Sequence, residues 1–91
     1  MKVAAPKVEV QEVESEGLLA FLEKRILVFC LNYIYEGKLS GVNDTCIKLD
    51  DASIVYDTGA FTDKNYSDKQ KLPGDCHYVQ ISAIESFGPG K

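Results

Sequence analysis

The amino-acid sequence predicts a mainly β domain: a short N-terminal helix followed by five strands in a small, strongly bent antiparallel barrel. Three observations carry this expectation. Residues 26–31 are apolar at every position, as in a strand covered on both faces. The next alternating segment places Gly37 and Gly41 on one face, where absent side chains let a strand bend sharply. Turn-forming groups, Asn43-Asp44-Thr45 and Pro73-Gly74, then punctuate further alternating runs.

Taken in order, residues 1–16 read as a flexible acidic arm, with its carboxylates concentrated between Glu9 and Glu16. Leu18, Phe21 and Leu22 then fall at helical spacing, with Ser15 as N-cap and Lys24 and Arg25 at the negative helix end. So short a helix persists only when docked, and the all-apolar strand that follows offers the surface. Asn32 and Tyr33 make a reversal, after which Tyr35, Gly37, Leu39 and Gly41 face inward while Glu36, Lys38 and Ser40 face water. A third strand spans about residues 46–56, with a bulge at Asp51-Ala52. Residues 58–76 read as a variable polar loop. Two short strands with a kink near Ser82-Ala83 close the domain at residue 87, and residues 88–91 form a tail.

A chain of 91 residues makes one domain with one modest core, hiding roughly 64 % of the unfolded chain's surface. Its net charge of -4 repels phosphate overall, so nucleic-acid binding requires a local patch. Cys30, Cys46 and Cys76 are too few and too scattered for a disulfide scaffold, which favours a reducing compartment. No apolar run approaches a membrane span, and no signal-peptide pattern is visible. These features predict a soluble, cytoplasmic protein with no membrane association.

The pattern Gly37-x-Leu39-x-Gly41-x-Asn43, then Ile47-x-Leu49-Asp50-Asp51-Ala52, resembles the first motif of the Sm/LSm family, with loop spacing closer to bacterial Hfq. Val79-Gln80-Ile81-Ser82-Ala83-Ile84 sits where the second motif belongs. The resemblance covers about residues 18–87 and implies an SH3-like barrel of the Sm type. It also implies a head-to-tail ring of about five to seven subunits, with the last two strands pairing between neighbours. Tyr78, Val79, Ile81, Ile84 and Phe87 are the interface candidates. The family's RNA pocket maps onto Asn43, Asp44, Thr45 and Gln80, with Lys38 or Lys48 nearby. Both motifs are degenerate in their polar letters. Asn43 stands where the family has aspartate, Cys46 stands near its asparagine, and a basic residue is missing at Gln80-Ile81.

From the residues themselves, Asn43, Asp44 and Thr45 either make the turn or hydrogen-bond a base edge. Cys76-His77 lacks the partners of a metal site or a catalytic dyad, since neighbours on a strand point apart. Tyr33, Tyr35, Tyr56, Tyr66, Tyr78 and Phe61 form either an aromatic cage for a cation, a base-stacking surface, or ordinary half-buried strand tyrosines. The expectation is a non-enzymatic, cofactor-free Sm-like ring former that binds single-stranded RNA weakly, or alternatively an oligomeric scaffold for a protein partner.

Overall fold

The computed structural model describes residues 16–91; the expected acidic arm and the Ser15 N-cap lie outside the described residues, apart from Glu16. Six antiparallel strands are present: β1 (Arg25–Cys30), β2 (Ile34–Val42), β3 (Cys46–Asp57), β4 (Asp68–Lys71), β5 (Cys76–Gln80) and β6 (Ile84–Pro89). They form one sheet with the path β4-β3-β2-β1-β6, and β5 also pairs with β3. The mainly β expectation holds, but the helix-plus-closed-barrel architecture does not.

Three physical features account for the correction. The expected helix is a five-residue 3-10 helix, Gly17–Phe21. Gly17 and Glu23 both have positive φ, and the Glu23 amide donates to the Leu39 carbonyl at 2.7 Å while Leu39 donates to Lys24 at 2.9 Å. The β1–β2 ladder thus captures the segment that would have made further helical turns. Second, the 58–76 loop contains a strand: β4 lies along the C-terminal half of β3 and β5 along its N-terminal half. A twelve-residue β3 is long enough to hold both end to end. Third, the expected kink is a 3-10 helix, Ile81–Ala83, that sends β6 away from β3 to pair with β1. β5 and β6 are therefore not paired with each other, and the sheet stays open.

Ile26, Val28, Leu39, Ile47, Leu49, Ala52 and Val79 make the core, with Leu18, Phe21 and Leu22 packed against it. Each large aliphatic side chain fully buried here contributes about 1.5–3 kcal/mol. Leu27 is buried between its apolar neighbours but belongs to the opposite face of β1, consistent with a strand covered on both sides. β3 passes close over Gly37, where a Cβ would meet Leu49 Cβ at 3.0 Å, the Asp50 carbonyl at 3.1 Å and Ala52 Cα at 3.2 Å. Opposite it, Asp51 takes φ of 51°. The expected bulge lies opposite Gly37, where the β2–β3 register shifts between Glu36 and Lys38.

The wet outer face predicted for β2 needs a further correction. Glu36 is only 2 % exposed. Its carboxylate accepts hydrogen bonds from Arg25 at 2.7 and 3.2 Å and from Lys69 at 3.3 Å. The unforeseen β4 brings Lys69 to that position by pairing with β3.

A candidate assembly edge beside the Asn43 turn

The connection between β2 and β3 is built by Asn43. Its side-chain carbonyl accepts from the Thr45 amide at 2.8 Å, the Cys46 amide at 2.9 Å and the Thr45 hydroxyl at 3.1 Å. The Asn43 amide closes the turn on the Cys46 carbonyl at 3.0 Å. This is an Asx-type turn in which the side-chain oxygen does structural work. Asp44 and Thr45 are exposed at its tip.

The Thr45 carbonyl in turn accepts from the Ile81 amide at 2.8 Å, and Cys46 lies opposite Gln80 in the β3–β5 ladder. The fold thus brings together Asn43, Asp44, Thr45 and Gln80, the four residues singled out for RNA contact. Lys48 stands opposite Tyr78. Lys38 is committed elsewhere, in an exposed ion pair with Glu23 at 3.1 Å.

Tyr78, 61 % exposed, stands between two hollows. One, of about 190 Å³, is lined by Gly41, Val42, Asn43, Cys46 and Lys48 besides Tyr78. The other, of about 260 Å³, runs from Tyr78 and Gln80 to the β1–β2 reversal at Leu31, Asn32 and Tyr33. Leu31 is 80 % exposed there. Tyr35 forms part of the wall and stacks on His77 with centroids 5.4 Å apart. That contact gives His77 a packing role. Burial raises the Tyr35 phenol, with smaller contributions from Cys30 and Tyr33, so it stays protonated across the neutral range. The Tyr78 phenol is also raised, first by its hydrogen bond with Cys76.

The interface candidates divide by location. Tyr78 is on the exposed face of β5, and Val79 is buried in the core. Ile81 and Ile84 are half-buried against that core from either side of the kink. Phe87 is on β6, its ring edge-on to Phe21 at 6.1 Å. Tyr33 is one of the aromatic candidates that the sequence groups with Tyr78, whereas Leu31 is not; the pairing of β5 with β3 places the whole reversal beside Tyr78. No protein-family model and no curated protein matches the chain.

Among the described residues no helix is long and apolar enough to cross a membrane.

Proposed function

We propose that this chain is an Sm-like subunit that assembles with copies of itself, head to tail, through the outer edges of β5 and β6. One observation carries the reading: both strands end an open sheet without pairing to each other. An unpaired edge is a template for another strand, and two different edges on one subunit define a heterologous contact that can close into a ring. Leu31, Tyr33 and Tyr78, exposed beside the β5 edge, supply apolar area for such a contact. The degenerate motif pattern supports the same lineage, and the three free cysteines fit a cytoplasmic setting.

Weak binding of single-stranded RNA is the second reading, favoured by the convergence of the Asp44-Thr45 tip, Gln80 and the Tyr78 ring. An aromatic face beside polar groups suits an unstacked base. The Asp44 carboxylate and the net charge of -4 oppose phosphate, so this binding is of low affinity. A scaffold holding a protein partner uses the same apolar surface without nucleic acid.

Native mass spectrometry of protein purified without nuclease tests these readings together. The expected result is a ring of about five to seven copies, and Tyr78→Asp is expected to be monomeric with unchanged far-ultraviolet circular dichroism. Tyr78 is a cleaner probe than Ile84, which also packs on the core. Extra mass removed by nuclease identifies RNA, whereas a bare ring leaves the scaffold reading. A wild-type monomer at micromolar concentration overturns the proposal.

A further inference from the structure

Residues 58–66, placed in a polar loop by their composition, converge on one side chain. The Lys91 ammonium donates to the carbonyls of Thr58 at 2.6 Å, Ala60 at 2.8 Å and Asn65 at 3.1 Å. It also lies 5.1 Å from the centroid of Tyr66 and 5.8 Å from that of Phe61. A primary ammonium has three N–H donors, so each can meet one carbonyl. The two ring faces add the attraction of an aromatic quadrupole for a cation.

The surrounding backbone is arranged for this approach. The Lys91 amide donates to the Tyr66 hydroxyl at 3.1 Å, and the Gly90 amide donates to the Arg25 carbonyl at 3.1 Å. A Cβ on Gly90 would lie 3.3 Å from that same Tyr66 hydroxyl and 3.3 Å from the Ile26 carbonyl carbon. Glycine therefore permits the close passage of this segment between β1 and the loop. Gly59, with φ of 67°, turns the loop where a Cβ would strike the Ser67 hydroxyl at 2.4 Å. Its amide is held by the Asp57 carboxylate at 2.9 Å, which fixes the loop just beyond β3.

We propose that residues 58–66 form a receptor for a primary ammonium group, with Lys91 as its resident occupant. Its ligand class is the lysyl side chain or a small primary alkylammonium, which takes the site when the Lys91 ammonium is removed. Specificity follows from the donor count. Tetramethylammonium retains the charge but has no N–H, and so satisfies none of the three carbonyls. Because Lys91 follows β6 and Gly90 pairs with β1, occupancy also ties the loop to the β1–β6 end of the sheet.

The test uses Lys91→Met, which keeps an unbranched stem and removes the ammonium. Amide hydrogen exchange across residues 58–66 is expected to accelerate at least about tenfold, while β2 and β3 keep their protection. Methylammonium chloride is expected to restore protection, and tetramethylammonium chloride at equal concentration is not. The proposal is overturned if Lys91→Met leaves the loop's exchange unchanged. It is equally overturned if neither salt restores protection, or if both do so alike. A second readout, the Tyr66 ring-proton shifts, is expected to move toward wild-type values on methylammonium addition. Their failure to respond tells against the site even where exchange is dominated by loss of the tether.

Discussion

Around Glu36 and Asp51, β4 extends the sheet beyond β3 and charges are matched: Arg25 and Lys69 reach Glu36, while Arg25 and Lys71 reach Asp51. Around Tyr78, by contrast, β5 and β6 part, and Leu31, Tyr33 and Tyr78 stand exposed. Both regions depend on β3, one on each half of its length. The difference separates what holds the fold together from the exposed surface on which the proposed assembly rests. Substitutions in the first region should lower stability with assembly lost only through unfolding, and exposed substitutions in the second should do the reverse.

The largest stability effect is expected from Arg25→Met. It removes two hydrogen bonds from the nearly fully buried Glu36 carboxylate and two from Asp51, one to its carbonyl and one to its carboxylate. Stripping a partner from a buried charge costs about 3–5 kcal/mol, and Lys69, which remains, brings the expectation to about 3 kcal/mol. Urea unfolding measures it, and a loss below about 1 kcal/mol would show that Glu36 is compensated without Arg25. Comparison with Tyr78→Asp sharpens the contrast: that variant should keep its urea midpoint once the wild type is measured as a monomer.

Next comes Gly37→Ala, expected to cost about 1–3 kcal/mol by overpacking. Two of the three atoms its methyl would meet belong to the backbone of Asp50 and Ala52, which cannot rotate away as a side-chain tip can. The same unfolding experiment checks it. A neutral result would mean that the bend relaxes, and with it the geometry that divides β3 between β4 and β5.

How much of this was legible in the sequence depended on whether a signal was local. The apolar run of β1, the glycines of β2, the Asp51-Ala52 bulge and the Asn43 turn are each specified by residues close in sequence, and each was read in place. The closed barrel failed because closure depends on which strands β5, before Ser82, and β6, after it, pair with, a choice made by partners distant in sequence. β4 was missed because Asp68-Lys69-Gln70-Lys71 has no apolar alternation; all four residues are exposed, and pairing with β3 alone makes them a strand. Glu36 was assigned to water for the same reason. At the candidate site, the grouping of the Asn43 turn with Gln80 follows from the family resemblance and that of Tyr33 with Tyr78 from their aromatic character, whereas Leu31 carries no signal beyond being apolar near a turn. Of the five tyrosines and Phe61 that the sequence offers for an aromatic cage, the fold gathers Tyr66 and Phe61 around the ammonium of Lys91.

The smallest expected effect is a pH dependence confined to the charge-matched region. The Asp51 carboxyl is held below its ordinary value of 3.8, first by its 2.6 Å hydrogen bond from Lys71 and by that residue's charge, with Arg25 adding less. A carboxyl lowered in the folded state binds its proton more readily when unfolded. Its stabilising contribution is therefore present above the ordinary value and lost as pH falls through the folded-state value. Asp51→Asn removes this titration while retaining a residue that tolerates the local φ of 51°. Between about pH 6 and about pH 3 the urea midpoint of the wild type should fall further than that of Asp51→Asn, because the remaining carboxylates titrate in both. Asp51 is exposed, so high salt should shrink the difference. Equal slopes at low salt would show that the Asp51 ion pairs contribute nothing measurable, leaving the buried Glu36 as the charge that distinguishes this half of β3 from the other.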